Sequence, residues 1–277
     1  MTPTEQRQAE EDARREAKLL GLTLLLLFTE QRGVRTIDGK RFEYDSAAAK
    51  FRVDGRAVSI ATIRMYLSRI ENRMARKLLR ITTQLEDHQI SFAAWQREFE
   101  RTIKTSHILA AALVLGSISR AASHRYVQSQ IQLQLSFADK FFASLIPIGN
   151  LRPLAAGAGT SAIPRILFTG TADMKPDEEI PKVRFKGFSF AKIKSRAKSY
   201  SRAAHITFSN LELQVRTAIG VDTQARRRLR AVESCRNSAA TQGCVELALK
   251  DWIAIEDMVP IGLATCKNWC RCFIEFR

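Results

Sequence analysis

Residues 59–85 read SIATIRMYLSRIENRMARKLLRITTQL, and this stretch decides the fold. Its apolar side chains recur at intervals of three and four residues, at Ile60, Ile63, Leu67, Ile70, Met74, Leu78, Ile81 and Leu85. The spacing predicts one apolar face on a helix of about 27 residues, with arginine and lysine on the opposite face. Ser59 is a suitable N-cap. Such a helix must bury its apolar face, so the stretch predicts a packed helical domain.

Three more apolar stripes with helical spacing follow along the chain. They consist of Phe92, Trp95, Phe99 and Ile103 after the candidate cap Ser91, of Ile131, Leu135, Ala138, Phe142 and Leu145, and of Ile193, Ala197, Tyr200, Ala204, Phe208, Leu211 and Val215. Long amphipathic helices most simply bury their stripes against one another. The predicted fold is therefore mainly α: a bundle of long amphipathic helices with a small cysteine-stapled β element at the C-terminus and a long Pro/Gly-rich loop.

The composition divides the chain into four segments. Residues 1–58 are predicted to form an N-terminal helix, over about 4–31, and an extended arm or hairpin broken at Asp54-Gly55. Residues 59–146 form the helical bundle core. Residues 147–185 form a long loop or arm, since 147–181 hold five of the seven prolines; the loop either reaches a neighbouring subunit or is a surface insertion. Residues 186–277 combine a basic helix with a Cys-rich α+β element.

The N-terminal helix carries a Leu-rich run over residues 19–28. Ten residues are too few to span a membrane, which needs roughly 20, so we expect no stable membrane insertion. We interpret the run as a partner-binding helix, and the alternative is a membrane-active segment. The candidate contact residues are Leu24, Leu25, Leu26, Leu27 and Phe28.

Net charge is the outlying property of the composition. The chain has 44 Lys and Arg against 28 Asp and Glu, a formal net charge of +16. A field of this sign favours polyanions: nucleic acid, an anionic membrane or an acidic protein. The excess is greatest over 184–230, where twelve basic residues face two acids. Aromatic residues interleave with Lys and Arg over 184–202, a pattern that suits phosphate contact without base readout, although the solvated face of a helix has the same composition. The candidate polyanion contacts are Lys186, Lys192, Lys194, Arg196, Lys198, Arg202, Arg226, Arg227 and Arg228.

Five cysteines lie near the C-terminus, at Cys235, Cys244, Cys266, Cys270 and Cys272. A structural zinc ion needs four thiolate or imidazole ligands, commonly from two closely spaced pairs. The distal pair has an acceptable spacing, whereas eight residues separate Cys235 from Cys244. Three interpretations stay open: a zinc site, disulfides formed after release to oxidising surroundings, and buried thiols. Zinc is thus the one cofactor that the sequence suggests. Either of the first two would staple a small β element that lacks its own core.

No catalytic constellation is visible elsewhere. The sequence has no glycine-rich nucleotide loop, no serine nucleophile elbow and no His-Glu zinc helix. His107 lies in an apolar helix, where a hydrogen-bonded core or interface histidine is expected. We therefore predict that the protein is not an enzyme.

Four segments, in order, resemble the phage head morphogenesis, or minor head protein, family of tailed phages. The C-terminus is one of the four, in two pieces, 232–252 and 258–277, and it resembles the end of that family through Cys235, Pro260, Ile261, Gly262, Cys266, Asn268, Cys270, Arg271 and Cys272. Residues 51–70 resemble the family's entry into its first long helix, and residues 191–208 its Arg/Tyr-rich helix. Residues 85–116 resemble its Trp-Gln helix through Ile90, Trp95, Gln96, Ile103, His107 and Gly116. The chain departs from the family in its wide Cys235–Cys244 spacing and in the length of 147–181.

The resemblance implies a structural virion protein, made in the host cytoplasm and located in the virion head. Its implied partners are the portal protein, the major capsid protein and packaged double-stranded DNA, and a homo-oligomer is compatible with it. The implied role is in head assembly and in DNA packaging or delivery. The alternative is a non-specific nucleic-acid-binding protein with a zinc-stapled C-terminal element.

Overall fold

The computed structural model describes residues 1–22, 34–37, 40–45, 47–48, 50–145, 147–148, 184–185, 189–220, 222–228, 244–261 and 272–277. Its helices are α1 (Pro3–Leu19), α2 (Ile60–Glu86), α3 (Phe92–Leu115), α4 (Ile118–Ser123), α5 (Arg125–Ser144), α6 (Phe190–Ile219) and α7 (Cys244–Leu249), with a 3-10 turn at Ile255–Asp257. The strands are β1 (Val34–Ile37), β2 (Lys40–Asp45), β3 (Lys50–Val53), β4 (Arg56–Ala57), β5 (Pro147–Ile148), β6 (Arg184–Phe185), β7 (Gln224–Arg228), β8 (Ile253–Ala254) and β9 (Phe273–Phe276). The predicted mainly helical fold is confirmed, with small antiparallel sheets beside the helices.

The predicted apolar face of α2 is buried along almost its whole length. From Ile63 to Leu85 every residue of the stripe lies in the core, whereas Ile60, in the first turn, is 40% exposed. The Ser59 hydroxyl accepts a hydrogen bond from the Thr62 amide at 3.2 Å. The helix therefore starts where its cap predicts.

Helix α3 is the centre of the bundle and packs against α1, α2, α4, α5 and α6. All residues from 105 to 114 are buried, so this half of the helix is surrounded by protein. A helix that is apolar all round belongs in an interior. Ser91 caps its start, and Gly116 ends it with a φ of +72°, a conformation that favours glycine.

Two further helices complete the bundle. Helix α6 packs against both α2 and α3, so the bundle extends beyond the 59–146 segment that the sequence delimits. Helix α1 docks on α3 and α4 through three buried alanines one turn apart, Ala9, Ala13 and Ala17.

Helix α1 ends at Leu19, and the prediction that it continues to residue 31 is wrong. Gly21 has a φ of +67°, and the amide of Leu22 bonds the carbonyl of Ala17 at 2.9 Å. This hydrogen bond and the positive φ of Gly21 are the features of a Schellman cap, which ends a helix. The predicted partner-binding residues Leu24–Phe28 lie outside the described residues. Across the described parts of the chain, no helix is both long and apolar enough to cross a membrane.

Within the described residues, three antiparallel sheets accompany the helices. Strands β1 to β4 pair in sequence order, and the β3–β4 turn has positive φ at both Asp54 and Gly55, as the sequence predicts for a hairpin there. Strands β5 and β6 pair the two ends of the predicted loop 147–185, whose residues 149–183 lie outside the described residues. Strand β7 lies between β8 and β9 in the C-terminal sheet.

Candidate nucleic-acid interface

The first half of α6 carries five of the predicted polyanion contacts. We call Lys192, Lys194, Arg196, Lys198 and Arg202 the cationic end of α6. Ser189 is the N-cap of the helix, and its hydroxyl accepts a hydrogen bond from the Lys192 amide at 3.3 Å. Ile193 and Ala197 turn into the core, so the cations between them lie toward solvent or at the edges of the helix face.

The five cations differ in their exposure. Lys192, Arg196 and Lys198 are exposed, whereas Lys194 and Arg202 are half-buried. The ammonium group of Lys194 pairs with the Glu86 carboxylate at the end of α2. Between residues 190 and 211 helix α6 has no acidic residue, so the three exposed cations carry an uncompensated positive charge on their own helix. Lys186 lies outside the described residues.

An aromatic cleft opens beside the cationic end, between α5 and α6. Its volume is about 410 Å³, and its apolar walls are Phe137, Phe141 and Tyr200. Lys140 and Arg196 supply positive charge, and Arg196 lies with its guanidinium carbon 5.3 Å from the Phe141 ring centroid. The side chains of Gln134, Ser144 and Ser199 add polar groups. The cleft therefore combines flat apolar surface with cations.

The walls of the cleft rest on a packed aromatic core. The ring centroids of Tyr200 and Phe99 are 5.2 Å apart, and those of Phe99 and Trp95 are 5.3 Å apart. Burial raises the pKa of Tyr200 to about 12, so its hydroxyl is protonated at neutral pH and can donate a hydrogen bond. Two of the three aromatic walls are thus fixed before any ligand arrives.

A second group of arginines lies on the C-terminal sheet. Arg226 and Arg228 both bond the Glu275 carboxylate on β9, at 2.6 and 2.9 Å. Burial acts to raise the pKa of Glu275, but the hydrogen bonds from Arg228 and Arg226 hold that pKa below its ordinary value. Arg226 and Arg277 also lie over the Trp252 ring, 4.4 and 4.3 Å from its centroid. All three of these arginines are therefore engaged within the protein, Arg226 and Arg228 by Glu275 and Arg277 by the Trp252 ring.

Arg227 does not belong to any basic surface, and its prediction as a polyanion contact is wrong. The residue is 1% exposed, and its guanidinium donates to the carbonyls of Val259 and Pro260. Side chains alternate between the two faces of a strand, so Arg227 points inward while Arg226 and Arg228 point outward. This arginine holds the C-terminal element together.

The C-terminal sheet that carries Arg226 and Arg228 lies beside α6, C-terminal to its cationic end. Lys198 and Arg216 lie 18 positions apart on α6, which corresponds to about 27 Å along its axis. Arg216 lies 4.6 Å from the Phe276 ring, beside the C-terminal sheet. Just before β9, the Cys272 carbonyl lies 2.7 Å from His205 Nε2, and Arg228 pairs with the next residue, Phe273. The sheet arginines therefore lie alongside the second half of α6.

The cysteine cluster is only partly within the described residues. Cys272 is buried and packs in the C-terminal core with Ile206, Leu213 and Ile274. Cys244 begins α7, while Cys235, Cys266 and Cys270 lie outside the described residues. In the described ranges no group of three or more His, Cys, Asp or Glu side chains could hold a metal ion. Cys272 is packed as a small core residue, and the choice among zinc, disulfide and thiol for the other four stays a prediction.

Phe137 and Lys140 belong to no motif or stripe that the sequence analysis identifies. Tyr200 belongs to a predicted apolar stripe, but the cleft depends on the packing of α5 beside α6. The local sequence offers only a weak indication of the cleft, an aromatic residue one turn before a lysine.

Comparison of the chain with protein-family models, with curated proteins and with solved structures finds no match.

Proposed function

We propose that this protein binds the nucleic-acid backbone without reading its sequence, as a minor head protein of a tailed phage. In this role it associates with the portal and major capsid proteins in the virion head and contacts packaged double-stranded DNA. It aids head assembly and DNA packaging or delivery. The setting rests on the resemblance of four ordered segments to that family, and a net charge of +16 suits a protein next to packed DNA.

One observation carries the binding activity: Lys192, Arg196 and Lys198 are exposed on a helical segment that has no acidic residue. Exposed cations on a rigid helix can neutralise phosphates and release their counterions. Contacts to phosphate oxygens fix the position of a protein on DNA but carry no sequence information. Binding is therefore expected to be salt-dependent and indifferent to sequence.

The experiment measures binding to two unrelated short DNA duplexes by fluorescence anisotropy. We expect the two dissociation constants to agree, and log K to fall linearly with log salt between about 50 and 200 mM. The variant K192A/K198A should lower the slope by about one to two units, because each lost phosphate contact contributes about 0.9.

The matched control is R7A/R56A, which removes the same charge from two exposed positions away from α6. It should leave the slope close to that of the wild-type protein. An equal loss of slope in both variants would contradict binding at the cationic end. Binding that is weak and indifferent to salt would contradict the proposed function itself.

A further inference from the structure

The aromatic cleft differs from the rest of the basic surface because it offers a site for a ring as well as for a phosphate. Its 410 Å³ falls within the range of about 300–1,000 Å³ that is typical of small-molecule sites. In the proposed contact with duplex DNA, the cationic end of α6 meets phosphates alone, and the bases stay stacked inside the DNA helix. An additional flat apolar cleft is not needed for that contact.

The walls of the cleft are suited to a nucleobase. Phe137 is only half-buried, so part of its ring faces the cleft. Phe141 and Tyr200 lie behind it with their ring centroids 6.3 Å apart, supported by Phe99. A base that stacks on a preformed aromatic wall loses little of its binding free energy to protein reorganisation.

The charges of the cleft are suited to a phosphate. Lys140 comes from α5 and Arg196 from α6, so the two cations approach the cleft from both sides. Lys192 lies one turn before Arg196 on the same edge of α6 and extends the positive charge away from the cleft. Asp139 is the opposing group: its charge acts on Tyr200 and weakens the local positive potential.

We propose that the aromatic cleft binds one nucleotide of single-stranded DNA, with the base against Phe137 and the phosphate between Lys140 and Arg196. The inference rests on the proposed function, since it assigns to the same basic surface a subsite for an unpaired base. The hydroxyls of Tyr200 and Ser199 can hydrogen-bond the base or the sugar. Such a site lets the protein hold a strand end or an unpaired stretch beside the duplex that the cationic end contacts.

The test compares a single-stranded oligothymidylate with an abasic strand of equal length and charge. Wild-type protein should bind the thymidylate strand about tenfold more tightly, the size of one base–aromatic stacking contact. Phe137→Leu keeps an apolar side chain of similar size but removes the aromatic face. This variant should bind both strands with the affinity that the wild-type protein has for the abasic strand.

Two control variants isolate the stacking contribution. Lys198→Ala removes a cation outside the cleft. It should weaken the binding of both strands by the same factor, so the ratio of the two affinities should stay that of the wild-type protein. Asp139→Asn should increase the affinity for both strands, because it removes the negative charge near Tyr200. Thermal unfolding of each variant shows whether the fold is intact, and if F137L is destabilised the ratio of the two affinities in the wild-type protein carries the test alone.

Several results would overturn the inference. Equal binding of the thymidylate and abasic strands by the wild-type protein, or an unchanged ratio in F137L, would remove the base site. Competition by free thymidine monophosphate at concentrations as low as those of the oligonucleotide would assign the cleft to a free nucleotide rather than a strand. Duplex binding measured alongside separates the two proposals. If the base test fails but duplex binding persists, only the proposed base site is overturned. If neither single-stranded nor duplex DNA binds, the base site and the proposed function are both overturned.

Discussion

The Nδ1 atom of His107 on α3 lies 2.6 Å from the hydroxyl oxygen of Thr207 on α6. Both residues are fully buried, so this hydrogen bond joins the two central helices inside the bundle. The prediction of a hydrogen-bonded core histidine is confirmed. Burial lowers the pKa of His107 to about 4, which keeps its ring neutral in the folded protein.

The buried histidine makes the stability of the protein depend on pH. In the unfolded chain His107 has its ordinary pKa of 6.5, so between pH 6.5 and about 4 the unfolded state binds a proton that the folded state does not. The free energy of unfolding should therefore fall as pH falls through this window, by about 1.4 kcal/mol per pH unit at most from this group. Urea unfolding at pH 7.5 and pH 5 measures the difference.

The control for the pH effect is His107→Gln, which removes the titrating ring and keeps a polar side chain. We expect this variant to be less stable than the wild-type protein at pH 7.5 but to lose about 2 kcal/mol less between the two pH values. Equal losses in the two proteins would show that His107 does not contribute to the acid sensitivity.

Gly116 is predicted to tolerate no side chain. Its φ is +72°, and a Cβ atom added there would overlap the Tyr44 ring, whose hydroxyl donates to the Val114 carbonyl. A left-handed alanine alone costs about 1–2 kcal/mol. Gly116→Ala should lower the free energy of unfolding by more than that, because the new methyl group also overlaps the Tyr44 ring. Gly220→Ala is the matched control, since Gly220 has a φ of +69° with open space around it. Similar losses of unfolding free energy in the two variants would show that Tyr44 moves aside freely.

The docking of α1 is predicted to depend on a buried carboxylate. Asp12 is 4% exposed and forms a two-pronged ion pair with Arg101 on α3. Asp12→Asn should lower the free energy of unfolding by about 2 kcal/mol, because a charge-assisted hydrogen bond is lost in the interior. Glu86→Gln breaks the more exposed pair with Lys194 and should cost less than about 1 kcal/mol. Losses of equal size would contradict the role of burial in the Asp12 pair.

The Cys272 thiol is predicted to react only in the unfolded protein. It is buried in the apolar core of the C-terminal element, where a small alkylating reagent has no access. Mass spectrometry after alkylation under native and denaturing conditions, with reductant present, gives the extent of reaction at this residue. Rapid native alkylation of Cys272 would contradict the packing of β9 against the core.

The sequence predicts the helices well because their signals are local. The caps Ser59 and Ser91 and the apolar stripes fix where α2 and α3 begin and which face is buried. The end of α1 could have been predicted from Gly21, which interrupts the Leu-rich run. Hydrophobicity alone favoured a longer helix, since it takes no account of the left-handed conformation that Gly21 adopts.

The functional surfaces were less predictable because they depend on how elements pack. Counting charges joins Arg226–Arg228 to the α6 cations, but a charge count does not show that the C-terminal sheet lies along α6 from His205 to Arg216. Because side chains alternate between the two faces of a strand, Arg227 could have been predicted to point inward, where it pairs with Ile274. A count of charges takes no account of this alternation. Phe137 and Tyr200 belong to different helices, and no spacing in one sequence shows that they share a cleft.

The most direct test of the proposed function is a peptide-mass census of purified virions from the tailed phage that the proposal requires as the source of this chain. Intact particles and particles emptied of DNA are compared. We expect the protein in a few copies per intact particle, and its loss from emptied particles would indicate ejection with the genome. Its absence from intact virions, in preparations where the portal protein is detected, would contradict a minor head protein.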